Sequence, residues 1–512
     1  MEKTIIDKKV NESEIEPLSN GKGSLLLYAN IPKNESRKKY FISDTRRALS
    51  QYCASGALSL LMISFGTNFG FSAILIAELQ SRREKDENVV SLSQLTWLSS
   101  LNYFAIVFGA LFSGLLSQWI GRRNSLLVST FPFMTSWIIL YMCGPNQLWP
   151  IFLGLFVLGI SGGIIESPLQ IYVTEISEPR LRSSMCASLG VTIMIGIFVE
   201  MLLGKYLDWQ TLALANIIFP ILALMSLFFM PESPYWLASK GRYEDSLKAL
   251  AWLRGWSPVS QLPQHEFQDI VSTASKKTDK ALSIKRYFKR STVSSFALVS
   301  FTFLVSCFNG SISLGTWTIQ VFKEVNSPIE AHTAAVIQSA VQLAATVVMT
   351  FMFPYIGKRK PTLFSLATAG LALFVVAIYT YGAQSSTEPS WTPTIGILMA
   401  IGFSFLGIKH VPWILAGELF SGDVRSQMAG FLAGNCQIYS AMANKSFVYM
   451  EQLFTLPGVF LFFAFVNFVG LVVLYYIMPE TEGKSLAEIE RHSIDRKARR
   501  KKLVAQMSTR EP

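Results

Sequence analysis

Gly109-Ala-Leu-Phe-Ser-Gly-Leu-Leu-Ser-Gln-Trp-Ile-Gly-Arg-Arg123 is an apolar run that ends in a glycine and two basic residues. A second apolar run ends in the same way at Gly357-Lys-Arg359, an offset of 357 − 121 = 236 residues. An apolar run long enough to cross lipid, followed at once by positive charge, indicates a membrane span that ends at the cytoplasmic face. The recurrence indicates that the chain repeats itself.

Two further motif pairs recur in the same order. Glu175 and Arg182 are echoed by Glu418 and Arg425 with the same spacing. Pro231-Glu-Ser-Pro234, after the first set of apolar runs, is echoed by Pro479-Glu-Thr-Glu482 after the second set. Three pairs in one order predict a parallel duplication of a six-span unit, an organisation in which transporters build a midplane site between the two units.

The composition agrees with a chain embedded in lipid. Hydrophobic residues make up 51% of the 512 residues and charged residues only 15%, which is too little polar surface for a soluble protein of this size. We therefore predict an all-α integral membrane protein with twelve transmembrane helices in two six-helix bundles. The predicted spans are Cys53–Leu79, Leu95–Trp119, Ser125–Cys143, Leu148–Val173, Ser184–Gly204, Thr211–Met230, Val293–Val321, His332–Ile356, Thr362–Tyr381, Pro393–Gly417, Met428–Met450 and Leu456–Met478.

These spans predict five segments. A cytoplasmic tail over 1–52 precedes an N-terminal bundle over 53–230, and a cytoplasmic interdomain segment over 231–292 leads to a C-terminal bundle over 293–478 and a tail over 479–512. The interdomain segment contains an amphipathic stretch, Gly241–Arg254, which predicts a short helix along the inner ends of the bundle.

The net charge of +11 comes mostly from the tails and one long loop. Lys and Arg beside membrane spans mark the cytoplasmic face and attract anionic lipid, so we expect the lipid bilayer, and no nucleic acid, as the partner of this charge. An even number of spans then puts both termini in the cytoplasm. We expect a multi-pass protein of the cell membrane that works as a monomer.

No residue set indicates an enzyme, a cofactor or a metal. The five cysteines and four histidines are scattered without ligand spacing. No nucleophile, base and orienting group occur together on a motif, so no catalytic residues are predicted. The Gly483-Lys-Ser485 tripeptide lacks the upstream glycine of a phosphate-binding loop.

The motifs together resemble the sugar-porter branch of the major facilitator superfamily, and most of all the insect facilitated trehalose transporter-like group. The resemblance rests on Gly109–Arg123 and on Pro231-Glu-Ser-Pro-Tyr-Trp-Leu237, Val411-Pro-Trp413, Gly417-Glu-Leu-Phe420 and Pro479-Glu-Thr-Glu-Gly-Lys-Ser-Leu486. It covers the chain from the first span to Glu490. It implies a major facilitator fold, alternating access by rocking of two halves, and trehalose or a hexose-like sugar as substrate.

Charged residues of the repeated motifs all fall at the cytoplasmic edge. We predict that they form a gating network, whose ion pairs join the halves when the cavity faces outward and break when it opens inward. The alternative for any one residue is that it sets topology and caps a helix end. The network comprises Arg122, Arg123, Glu175, Arg182, Glu232, Lys358, Arg359, Glu418, Arg425 and Glu480.

The binding pocket departs from the family pattern. By motif alignment, Ser306 and Cys307 stand where relatives have paired glutamines, so sugar hydroxyls lose hydrogen-bonding partners there. The candidate substrate-binding residues are Trp413, Gln342, Gln338, Asn309, Ser306 and Lys409. Trp413 offers an apolar face on which sugar rings stack. The alternatives are a packing role for Trp413, interhelical hydrogen bonds for the amides, and a water-solvated Lys409.

Facilitated uniport is the favoured mode of transport, because Ser72 aligns with the span-one acid of proton-coupled relatives. The alternatives are an ion-coupled or non-sugar carrier that uses Glu166, Lys409 or His410, and a nutrient sensor that binds without net transport.

Overall fold

A computed structural model describes residues 44–85, 90–144, 146–256, 266–272, 290–382, 388–420 and 424–480. Most of the two predicted tails and part of the predicted interdomain segment therefore lie outside the described residues. The described residues form helices joined by short turns. The prediction of an all-α membrane fold is confirmed.

Six helical units, α1 to α6, make up the first bundle. Each is apolar along most of its length, and α6 is interrupted once, at Ile217. Their bounds are Asp44–Glu84 for α1, Leu92–Ile120 for α2, Arg122–Met142 for α3, Leu148–Ile176 for α4, Pro179–Gly204 for α5, and Trp209–Asn216 with Ile218–Phe228 for α6.

The second bundle, α7 to α12, has more interruptions. The bounds are Arg290–Phe308, Ser313–Thr316 and Thr318–Glu324 for α7, Ala331–Ile356 for α8, Arg359–Gly382 for α9, and Trp391–Phe405 with Val411–Glu418 for α10. A last helical stretch, Arg425–Ile477, has a non-helical residue at Thr455 (φ 61°), and we name its two parts α11 and α12.

The number of crossings depends on how broken helices are counted. Within the described residues, ten helices are long and apolar enough to cross a membrane. One of them, Gln427–Ile477, has 51 residues, about 76 Å at 1.5 Å per residue, more than twice the hydrocarbon thickness. The chain must therefore turn back at Thr455. Counting that stretch as two crossings and adding the shorter apolar helix Trp391–Phe405 gives the twelve that the sequence predicts.

Glycines allow two helix pairs of the first bundle to touch along their backbones. A Cβ at Gly109 in α2 would lie 2.2 Å from the Ile160 carbonyl of α4, and one at Gly163 would lie 2.2 Å from the Ile106 carbonyl. Gly66 in α1 and Gly196 in α5 make the same kind of crossing. Small residues at such contacts are how membrane helices gain packing without a hydrophobic driving force.

The described part of the interdomain segment covers the inner end of the first bundle. Its helical stretches are Pro234–Ser239, Tyr243–Leu253 and residues 266–272. The Ser50 hydroxyl donates to the Leu253 carbonyl at 2.8 Å, and the Arg254 guanidinium donates to the Ile176 carbonyl at 3.1 Å. The segment is thereby tied to the ends of α1 and α4.

The close helix crossing yields a stability prediction. Replacing Gly109 by Ala puts a methyl group against the α4 backbone, so we expect a loss of about 1–3 kcal/mol from overpacking. The matched control is Gly114→Ala in the same helix, where a Cβ meets nothing within 4 Å. Thermal unfolding in detergent should show a lower midpoint for the first variant alone. Equal midpoints for both variants would contradict the backbone contact.

Candidate functional site

The inner rim of the first bundle is organised by the carboxylate of Glu232. Gly121 turns the chain sharply between α2 and α3 with φ +106°, and this leaves the first N–H groups of α3 open. Glu232 accepts hydrogen bonds from the backbone N–H groups of Arg122 at 2.9 Å, Arg123 at 3.1 Å and Asn124 at 3.3 Å. A carboxylate at a helix N-terminus both satisfies these donors and opposes the helix dipole.

The side chains of the same motif bind other parts of the first bundle. Arg122 pairs with Glu175 at the end of α4, with its Nε 3.3 Å from Oε2, and Ser233 donates a hydrogen bond to the same carboxylate. The Arg123 guanidinium donates to the carbonyl of Leu227 at 2.9 Å, at the end of α6. One short motif thus joins the inner ends of four helices.

The second bundle repeats this arrangement. Gly357 turns the chain between α8 and α9 with φ +79°, and Glu480 accepts from the backbone N–H groups of Lys358 at 3.3 Å and Arg359 at 3.1 Å. The Lys358 ammonium lies 2.5 Å from the Glu418 carboxylate. Arg359 donates to the Tyr475 carbonyl at the end of α12 at 2.5 Å. The three sequence repeats therefore correspond to repeated hydrogen bonds.

Eight of the ten predicted gating residues are thus brought together in two groups, one in each bundle. Arg182 is exposed and donates to the Ser177 carbonyl at 3.3 Å, within the same bundle. Arg425 begins α11, and its side chain lies outside the described residues. These contacts join helices within a half, and the predicted latch between the halves stays a prediction.

The two halves contact each other at the outer side. Lys323 lies 2.5 Å from Glu84, and Lys205 donates to the Thr333 hydroxyl at 2.7 Å and lies 3.5 Å from Glu330. The Thr333 hydroxyl, and after it Lys205, hold the pKa of Glu330 below its usual value. The described ion pairs of the inner motif residues stay within a half, whereas the described ion pairs that join the halves lie on the outer side.

An aromatic contact adds to this outer closure. The Lys445 ammonium of α11 lies 3.0 Å from the centre of the Trp97 ring of α2. The halves also meet where α8 packs against α5. A cation against a tryptophan face is a favourable contact.

Breaks in α7 and α10 face each other in the second bundle. The Asn309 amide, at the break in α7, donates to the Ser404 hydroxyl at 3.0 Å, just before the break in α10. Its oxygen accepts from the backbone N–H of Ser311 at 3.0 Å. Gln338 also supports the broken α7, since it accepts from Thr318 at 3.0 Å and donates to the Leu314 carbonyl at 3.3 Å. Both predicted binding residues are therefore engaged within the protein.

Lys409 lies inside the break of α10, between Phe405 and Val411. Its ammonium donates to the Ser306 carbonyl of α7 at 3.3 Å and lies 5.9 Å from the centre of the Phe405 ring. These two predicted binding residues are brought together. No carboxylate oxygen lies within 4.0 Å of the Lys409 ammonium in the described part of the chain.

Trp413 and Gln342 complete the predicted pocket set. Trp413 in α10 is 37% exposed and packs edge-on against Phe303, with ring centres 5.0 Å apart. Gln342 in α8 is buried, and its backbone carbonyl accepts a hydrogen bond from the Thr346 hydroxyl. The contact with Phe303 therefore leaves part of the Trp413 side chain exposed.

The same region also contains a contact between two thiols that the sequence analysis did not predict. The thiols of Cys307 in α7 and Cys436 in α11 lie 4.0 Å apart, and Ser440 lies 3.5 Å from Cys307. Glu166 of α4 lies beside Gln437 of α11, across the interface between the halves. The cysteine pair has no local sequence signal, because its members are 129 residues apart.

Glu200, another acid inside a predicted span, has a different role. Glu200 in α5 is fully buried and accepts from the Asn216 amide of α6 at 2.8 Å. That contact lies within the first bundle.

The chain is similar in sequence to insect sugar carriers. It is 26% identical over 464 residues to a facilitated trehalose transporter of Polypedilum vanderplanki, covering 90% of both chains. It is 28% identical over 414 residues to a protein of the same name from Drosophila virilis, covering 80% of this chain and 45% of that one. The chain thus spans about half the length of some relatives and nearly the whole of others.

A solved structure shares the fold. The inward-open xylose transporter XylE from E. coli superposes with a TM-score of 0.69 and 16% identity, covering 85% of this chain and 99% of that one.

The family comparison covers both bundles. A family model described as "Sugar (and other) transporter" matches residues 53–492, which include both bundles and both rim motifs. These matches identify a transporter in place of an enzyme. The chain belongs to the sugar transporter family of the major facilitator superfamily.

Proposed function

We propose that this protein is a facilitated uniporter that carries trehalose or a hexose-like sugar across the cell membrane by alternating access. The observation that carries the proposal is the match of residues 53–492 to the sugar transporter family, with motif contacts repeated in both bundles. The relative that this chain covers over 90% of its length is named a facilitated trehalose transporter. Both termini lie in the cytoplasm, and one chain is the working unit.

Rocking of the halves follows from the distribution of contacts. Glu232 and Glu480 fix the inner turns of their own bundles, so each bundle can move as one body. The contacts that must break for outward opening include exposed ion pairs, such as Lys323 with Glu84. Exposed ion pairs contribute little to stability, so a substrate with modest preference for one state can shift the balance.

The inner latch belongs to the outward-facing state. When the inner ends approach, Arg182 and Arg425 of the repeated E-x6-R motifs meet the rim of the opposite half. Glu175 and Glu418 then lie at the meeting edge, since each ends a helix beside its own basic partner.

We propose that few side chains contact the sugar. Trp413 offers its exposed face to the sugar ring, while the Ser306 and Lys409 region offers hydrogen bonds. Asn309 and Gln338 support the breaks around the pocket, which leaves fewer amides for sugar hydroxyls than the sequence analysis expected.

A second candidate function is favoured by the charge of the pocket. Lys409 has no carboxylate partner within 4.0 Å in the described part of the chain, and a lysine in this position attracts an anion. The second candidate is therefore a carrier of a non-sugar or acidic solute, or an ion-coupled carrier that uses Glu166 or Lys409.

The substrate prediction is tested in vesicles that contain the purified protein. We expect saturable trehalose or glucose uptake that a proton ionophore does not change. Trp413→Ala should raise the half-saturating concentration about five-fold, the equivalent of about 1 kcal/mol of ring stacking. The matched control is Trp149→Ala, whose side chain is 85% exposed. Uptake of organic anions alone, or uptake that the ionophore abolishes, would contradict the proposal.

A further prediction concerns the ion pair of Lys358 with Glu418 at the inner rim of the second bundle. Lys358→Glu puts two carboxylates side by side, so we expect slower uptake and a lower unfolding midpoint. Adding Glu418→Lys restores opposite charges, and coupled pairs of this kind recover about 0.5–3 kcal/mol. We therefore expect the double variant to recover most of the loss in both measurements.

The same exchange in the first bundle, Arg122→Glu with Glu175→Arg, serves as the matched pair. Additive losses in both bundles would contradict the direct contacts.

A further inference from the structure

Two thiols meet in the pocket region of the second bundle. Cys307 lies in the last turn of the first segment of α7, Arg290–Phe308, two residues before the break at Asn309. Cys436 lies in the middle of α11. Their sulfur atoms are 4.0 Å apart, which is contact distance, and the Cys307 thiol also lies 3.7 Å from the Cys436 carbonyl. The two helices pack directly against each other. A disulfide requires that the sulfurs close to about 2 Å, with a Cβ–S–S–Cβ dihedral of about 90°.

The thiol pair lies beside the groups that we propose to contact sugar. Ser306, the neighbour of Cys307, accepts from the Lys409 ammonium. Gln437, the neighbour of Cys436, faces Glu166 of the other half. Cys436 is partly exposed, whereas Cys307 is 1% exposed. Of the two thiols, Cys436 is therefore the one that an oxidant reaches first.

We propose that Cys307 and Cys436 form an oxidative modification site, a dithiol whose conversion to a disulfide by a peroxide lowers the affinity of the pocket for its substrate. The proposal rests on the proposed transport function for its effect on affinity, but the site itself does not.

The chemistry balances with peroxide as the oxidant. The Cys436 sulfur attacks one peroxide oxygen, the O–O bond breaks, and the products are a sulfenic acid and one water. The Cys307 sulfur then attacks the Cys436 sulfur, the S–O bond breaks, and the hydroxyl leaves with the Cys307 proton as a second water. Two thiols are oxidised by two electrons, and one peroxide is reduced to two waters.

The disulfide acts on binding because both cysteines belong to one bundle. It ties α7 to α11 and leaves the interface between the halves free of any covalent bond. Closing the sulfurs draws the Ser306 and Gln437 neighbourhoods together, and the pocket wall changes shape. We therefore expect a half-saturating sugar concentration raised at least three-fold and a maximal rate retained within two-fold.

The first measurement does not depend on transport. Purified protein in vesicles is treated with hydrogen peroxide, and peptide mass spectrometry follows the linked Cys307 and Cys436 peptides. We expect the linked species in the unaltered protein and in a variant with Cys53, Cys143 and Cys186 all changed to Ser. Cys307→Ser or Cys436→Ser should abolish it. Absence of the linked species in the unaltered protein, or in the triple Ser variant, would overturn the site.

The second measurement is uptake before and after peroxide in the triple Ser variant, with reversal by dithiothreitol. The raised half-saturating concentration should return to its starting value on reduction, and saturating sugar should slow formation of the linked peptides. A linked species that forms with no change in half-saturating concentration would overturn the effect on the pocket. If no sugar is carried at all, the peptide measurement still decides whether the dithiol exists.

Discussion

One interaction recurs at the two places on which the architecture depends: a carboxylate that binds the first N–H groups of a helix directly after a glycine turn. Glu232 does this for α3 and Glu480 for α9. The glycine is required because its φ is positive and because the carboxylate occupies the space of a side chain, with a Cβ at Gly121 only 2.3 Å from Glu232. Removing that contact takes the acceptor away from several backbone N–H groups, most of them partly buried, at the inner end of a bundle.

This constraint explains why the same motif can serve both folding and movement. Each carboxylate comes from the segment after the sixth helix of its bundle and holds the turn between the second and third helices. The two ends of a half are thus joined to its middle. Contacts between the halves, by contrast, include ion pairs on the outer side such as Lys205 with Glu330, beside the packing of α11 on α2 and of α8 on α5. Contacts that hold each half together, and contacts between the halves that can break, are what alternating access requires.

The sequence predicted the spans and the motif repeats well, because hydrocarbon length and charge placement are local properties. The sequence placed Glu175 and Glu418 at the cytoplasmic edge, but it could not tell contacts within a half from contacts between halves. All the acids and arginines lie at one edge, and spacing along the chain does not say which one each arginine meets. The break around Lys409 was also missed, since the segment reads as one continuous apolar span.

The pocket was the hardest part to predict, because its walls come from residues far apart in sequence. Asn309 and Gln338 were selected as polar groups inside spans, yet their hydrogen bonds support the broken α7. The Cys307 and Cys436 contact arises only when α7 packs on α11.

The most direct test of two rigid halves is a set of electron spin distances measured with nitroxide labels, with and without saturating sugar. Labels at Thr174 and Tyr355 report the inner ends of opposite halves, and labels at Tyr355 and Tyr476 report one half alone. We predict that sugar adds a shorter distance to the first pair and leaves the second unchanged. A changed distance within the half, or sugar transport with no change between the halves, would contradict the account.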